Sequence, residues 1–288
     1  MNLKGILNFK LKIFNLKFSI ILSIFAVNAA QTQTYTLPWL NDNIERQTIQ
    51  QLRPPVDFER VPADSNTFAD WLRHLPLKME NNIVYLFYGA RKANQAAQYR
   101  VLALDVGKQD LQQCADAVIR LRAEYLFGQG KVDEIAFNFT SGARATFKAW
   151  RQGYRPRVQG KTVMWKLSAP ADSAYKNFRE YLTTVFLYAG SASLNLEMKP
   201  AAAAQIQIGD VFIKGGYPGH AVIVVDMAVN PKTGKTAILL AQSYMPAQEV
   251  HILKNLRDEK ISPWYVVNGE DKLYTPEWTF EWSELRRF

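Results

Sequence analysis

A chain of 288 residues, 48% hydrophobic and 21% charged, is long enough for one large or two small domains and can build a sizeable core. Its formal charge of +9 comes from scattered Lys and Arg rather than a basic cluster, and no nucleic-acid motif stands out, which sets nucleic acid aside as a partner. A single cysteine rules out an internal disulfide, three dispersed histidines without ligand spacing argue against a tetrahedral zinc site, and with no phosphate-binding Gly loop no cofactor is expected.

The first thirty residues read as a secretory signal. Lys4, Lys10, Lys12 and Lys17 precede an apolar run, Phe18–Val27, and the small residues Asn28-Ala29-Ala30 follow. The run is short for a bilayer span, and no Cys stands at the cleavage site. The expectation is an exported chain, in the periplasm or cell envelope, with no lipid or integral membrane anchor after cleavage. Without those four lysines the formal charge falls from +9 to +5. The remainder, 31–288, is expected to be a single domain.

Residues 31–100 read as an N-terminal wrap and a hairpin. A short helix, Phe68–His74, is capped by Ser65-Asn66-Thr67 and ended by Pro76. Ile83–Tyr88 and Tyr99–Asp105 look like two strands joined across a polar loop. The clearest helix follows. Leu111, Cys114, Ala115, Val118, Leu121 and Tyr125 recur at helical spacing, with Asp110 and Gln113 as the expected capping pair and Asp116 placed to meet Arg120. Cys114 then falls in the first turn.

Ile135–Thr140 reads as a strand, followed by a short helix through Trp150, a basic connection Gln152–Lys161 and the apolar stretch Thr162–Leu167. Ala171–Ala189 is a second strong helix, apolar over much of its surface and a rival for the central position. Gly209–Ala228 combines a short strand, a turn rich in Gly and Pro, and a near-continuous apolar strand entered at His220. The chain turns at 230–234 and returns as Thr236–Gln242, with later strands near Glu249–Leu253 and Trp264–Val267.

Among groups able to do chemistry, Cys114 and His220 form a coherent pair. A thiol in a first helical turn feels the positive end of the helix dipole, and an adjacent imidazole favours thiolate and can protonate a leaving group. Asp226 lies six residues from His220 along one strand, roughly 20 Å, too far to orient the ring. Folding the hairpin about 230–234 brings Gln242–Tyr244 opposite His220 instead, and Gln242 is the polar candidate of the right face, a neutral amide able to hold the imidazole. Gln109 or Gln113 would add an oxyanion donor to the Cys114 backbone N–H. The bland alternative is a buried Cys acting as a small hydrophobe. His74 and His251 read as structural or surface residues.

Four stretches carry a resemblance: Phe68–Leu77 (FADWLRHLPL), Asp110–Ala117 (DLQQCADA), Arg120–Leu126 (RLRAEYL) and Gly209–Ile213 through Pro218–Asp226. Together they resemble the exported bacterial family catalogued as domain of unknown function 4846. More remotely, a helix opening with Cys, then Gly-Asp-strand-turn-Gly-His-strand, then a strand with a polar residue, is similar to NlpC/P60-type papain-like cysteine hydrolases. That likeness implies an α+β fold with a papain-like core at 101–288, its antiparallel sheet packed on helices and interrupted by a helical insertion at 127–200. It implies a cysteine amidase or peptidase acting on peptide or amide bonds of peptidoglycan, with Cys114 as nucleophile, His220 as base and Gln242 orienting the ring. The alternative is a non-catalytic envelope protein binding glycan or peptide through aromatics such as Trp150, Tyr154, Trp264 or Trp278.

Overall fold

The apolar run after His220 becomes the longest strand of the structure and the axis of its largest sheet. The computed structural model describes residues 35–40, 44–267 and 272–288, so the expected signal segment lies outside the described residues. From Tyr35 to Phe288 the chain forms one unit. The elements follow as β1 (Glu59–Arg60), α1 (Phe68–Arg73), β2 (Gln98–Val101), α2 (Cys114–Gly128), β3 (Ala136–Asn138), β4 (Arg144–Thr146) and α3 (Phe147–Arg151). Then come β5 (Tyr154–Gln159), β6 (Thr162–Leu167), α4 (Tyr175–Tyr188), α5 (Ser191–Glu197), β7 (Lys199–Pro200), β8 (Val211–Lys214) and β9 (His220–Val229). β10 (Thr236–Gln242), β11 (His251–Leu253), β12 (Trp264–Val267), β13 (Lys272–Tyr274), β14 (Thr279–Glu281) and β15 (Leu285–Arg287) complete the chain.

The fold is α+β. Its large antiparallel sheet runs β2-β11-β10-β9-β8-β15-β7, with β1 added on β9 and β12 on β10. Period-two alternation along β9 divides the core. Ala221, Ile223 and Val225 face the side that carries α2, while Val222 and Val224 face the side covered by Phe280, Leu273 and Tyr265. On the first side α2 buries Ala115, Val118, Leu121 and Tyr125, the stripe that its spacing predicts. Among the described residues no helix is long and apolar enough to cross a membrane.

Several expectations give way. The hairpin across 83–105 does not form: β2 pairs with β11, about 150 residues later, and Tyr85 and Leu86 make only isolated bridges. α2 starts at Cys114 rather than at Asp110; Gln113 is its N-cap, and its backbone N–H reaches the Asp116 carboxylate at 3.2 Å. Asp116 is not paired with Arg120, which is fully buried and binds Asp105 and Glu124. The segment 127–200 is not purely helical, since it carries the hairpins β3–β4 and β5–β6; the basic connection is itself β5. α4 buries one face, through Phe178, Tyr181, Leu182 and Val185, and exposes Leu187, so the helix under β9 is α2. Trp150 and Trp264 are core residues, each hydrogen-bonded through its indole N–H, and not an exposed platform.

Candidate functional site

Cys114 and His220 reach one cavity from opposite faces of the sheet. Cys114 opens α2 and belongs to the core on that side. His220 continues the Val222/Val224 face, where its ring packs 5.4 Å from Trp278 and 5.9 Å from Phe280. At the open end of β9 both line a cavity of about 610 Å³, together with Asp110, Asp116, Tyr217, Tyr244 and Trp278. The roof is the turn between β8 and β9, tied to α5 by the Ser191 hydroxyl donating to the Gly216 carbonyl at 3.2 Å. Gly219 has no room for a side chain: a Cβ there would lie 2.4 Å from the Gly216 carbonyl oxygen and 2.5 Å from Ser191 Oγ.

His220 is held through Nε2, which is 2.8 Å from Gln242 Oε1. The direction of that bond follows from the next links. The Gln242 amide nitrogen donates to Glu277 Oε2 at 2.7 Å, so its oxygen must face the imidazole. A carbonyl only accepts, so Nε2 carries the proton and Nδ1 keeps its lone pair, with no hydrogen-bond partner among the described residues. Glu277 is fixed by Lys92 at 2.5 Å and Asn94 at 3.0 Å. The second amide proton of Gln242 points to His251 Nε2 at 3.4 Å, and His251 Nδ1–H donates to the Glu249 carbonyl at 2.8 Å. The chain of bonds is closed at every member except Nδ1 of His220.

Burial sets the charge state of the site. It pulls the His220 pKa down to about 4, against the Gln242 hydrogen bond and the Glu277 charge, which act the other way. It pushes the Cys114 thiol up to about 11, helped by the Asp116 charge; the N–H groups of Ala115, Ala221 and Cys114 itself favour thiolate but do not prevail. The expected helix-dipole and imidazole stabilisation of thiolate is therefore outweighed, and at neutral pH the resting site holds a thiol and a neutral imidazole. No hydrogen bond joins them. Burial likewise raises Asp116 well above the usual carboxylate range.

Of the two expected oxyanion helpers, Gln113 lines the cavity with its amide engaged, Nε2 to Asp110 at 3.0 Å, and Gln109 lies outside it. Tyr244 lies opposite His220 as the folded hairpin predicts, its ring 4.6 Å away, but residue type did not disclose a role for its hydroxyl, which has no hydrogen-bond partner among the described residues. Burial and the charges of Glu277 and Cys114 disfavour its ionisation, so the hydroxyl keeps its proton as a donor. Glu277, Lys92 and His251 were also missed. Only the position of Tyr244, two residues beyond Gln242 and thus on the same face of an extended chain, gave a signal in the sequence.

Among the described residues no group of His, Cys, Asp and Glu is arranged to hold a metal ion. No curated protein and no solved structure matches the chain. The model of the domain of unknown function 4846 matches residues 49–287, so the chain belongs to that family.

Proposed function

We propose that this protein is an exported cysteine hydrolase, an amidase or peptidase on a papain-like core related to the NlpC/P60 type, that cuts peptide or amide bonds of peptidoglycan. The observation that carries the reading is the convergence on one cavity of a first-turn thiol and an imidazole whose Nε2 is pinned by an amide, leaving Nδ1 as a base. Sγ attacks the scissile carbonyl carbon as its proton passes to Nδ1. The carbon–nitrogen bond then breaks, the imidazolium returns that proton to the departing amine, and an acyl-thioester remains on Cys114. Water, deprotonated by Nδ1, releases the acid and restores the thiol. The resting pair is not hydrogen-bonded, so the proton moves only after the pair closes up or one water bridges it in the substrate complex. The Cys114 backbone N–H, which as a first-turn group has no intrahelical acceptor, and the Tyr244 hydroxyl are the donors that would turn to the oxyanion.

A second reading has its own observation: both groups are held neutral and lie on opposite faces of β9, as suits a cavity that binds envelope glycan or peptide without cutting it. Digestion of peptidoglycan fragments, followed by mass spectrometry of the products, separates the two. Cleavage that disappears in both Cys114→Ala and His220→Ala supports the hydrolase. Cleavage that survives Cys114→Ala overturns the role given to the thiol, and an absence of cleavage with a folded Cys114 inert to activated esters overturns the hydrolase in favour of binding.

A further inference from the structure

The far end of the same strand carries a second cavity. β9 spans ten residues, roughly 30 Å, from His220 to the turn at 230–235. There a cavity of about 660 Å³ is lined by Asn230 and by three bases, Lys235, Arg257 and Lys272, against a single acid, Asp258. Lys272 is answered by Glu281 at 3.2 Å, whereas neither Lys235 nor Arg257 has an anionic partner among the described residues.

Arg257 is nevertheless held in place. Its guanidinium lies over the Tyr274 ring, 3.8 Å from the centroid, and makes no hydrogen bond among the described residues. Its backbone is fixed by the buried Asn255, whose Oδ1 accepts the N–H of Arg257 at 3.0 Å and of Asp258 at 3.2 Å, and whose Nδ2 donates to the Trp264 carbonyl at 2.9 Å. The turn that carries Lys235 is held in the same manner: Asn230 Oδ1 accepts the N–H groups of Lys232 and Thr233, each at 3.0 Å. A guanidinium stacked on a ring keeps its planar edge of donors free, and that fork matches the oxygens of a carboxylate or a phosphate. Phe58, Tyr265 and Trp282 add aromatic surface, and the Trp282 indole N–H is buried without a hydrogen-bond partner among the described residues. Aromatic walls with an unmet donor suit a hydroxylated ring better than a bare ion.

We infer that this cavity binds an acidic saccharide, with Arg257 gripping its carboxylate or phosphate and Lys235 supplying a second positive charge. The site is independent of the chemistry at Cys114 and stands whether or not that thiol is reactive. Asp258 opposes the ligand's charge and holds the affinity down.

The test is titration calorimetry on the whole chain with glucuronate, glucose 6-phosphate, glucose and inorganic phosphate. Both acidic sugars are expected to bind at least about tenfold tighter than glucose or inorganic phosphate, and their order ranks carboxylate against phosphate. Arg257→Gln should bring the acidic sugars down to the level of glucose, and its side chain makes no bond that folding needs. Lys235→Gln should weaken them about threefold, and Asp258→Asn, which removes the lining acid, should tighten them about threefold. Lys166→Gln, an exposed lysine outside the cavity, should change nothing. Glucose bound as tightly as the acidic sugars, no binding of either acidic sugar at about 10 mM, or binding unmoved by Arg257→Gln overturns the inference. Inorganic phosphate bound as tightly as glucose 6-phosphate would make the cavity a plain anion site and overturn the saccharide.

Discussion

The two ends of β9 bury polar side chains in opposite ways. At Asp226, both carboxylate oxygens are claimed: Oδ2 by Arg60 and Oδ1 by Arg73, each at 2.6 Å, with the Met227 N–H also on Oδ1 at 2.8 Å. Arg60 passes on to the Leu52 carbonyl and Arg73 to that of Met227, so the cluster ties the N-terminal wrap to the sheet and leaves nothing for a ligand. At His220 the network is equally buried but stops one bond short, at Nδ1, and opens on the cavity. A buried network that satisfies itself is scaffold; one that keeps a valence open beside a thiol is placed to do chemistry.

That contrast can be broken by substitution. The largest effect belongs to Asp226→Asn, which strands the buried guanidinium of Arg73 and is expected to cost about 3–5 kcal/mol in urea unfolding. Cys114 reactivity in the surviving folded protein should be unchanged; a loss below about 1 kcal/mol would make the cluster ornamental. Next comes acid sensitivity. His220 and His251 have folded pKa values lowered to about 4 and about 3, so the unfolded chain binds more protons as the pH falls below 6.5. Stability is expected to decline from pH 6.5 to 4 through both residues, and on to 3 through His251, at up to roughly 1.4 kcal/mol per unit for each. His220→Gln should flatten the upper window, and an unchanged slope would show the imidazole to be solvated.

The smallest and sharpest effect is that of Tyr244→Phe. A hydroxyl that steadies an oxyanion matters for acylation at a carbonyl and not for alkylation at a saturated carbon. Acylation of Cys114 by a nitrophenyl ester is expected to fall about a hundredfold, with iodoacetamide alkylation unchanged within about twofold. Equal losses in both would make Tyr244 a packing residue.

How much of this was legible depends on how local each cause is. The helix stripe from Cys114 to Tyr125 and the apolar runs of β9 and β10 follow from spacing alone, because each periodicity is contained within its own element. The expected hairpin near Ile83 failed because the partner of β2 is β11, a pairing no local pattern announces. In the site, Cys114, His220 and Gln242 were singled out by residue type and element position, and the structure sets Gln242 on His220. Glu277 and Lys92 arrive from loops whose placement depends on the finished sheet. The alternation that puts His220 on the face away from α2 was readable from Val222 and Val224, yet its bearing on Cys114 emerges only once α2 has a side.

The crowding around Gly219 makes the aperture of the cavity a matter of gauge. With no room for a side chain at Gly219 between Ser191 and the Gly216 carbonyl, and with Ser191 hydrogen-bonded to that carbonyl, the roof packs directly on the N-terminus of α5. The height of the site is thus set in part at Ser191, a residue that contributes no atom to the thiol, imidazole and amide.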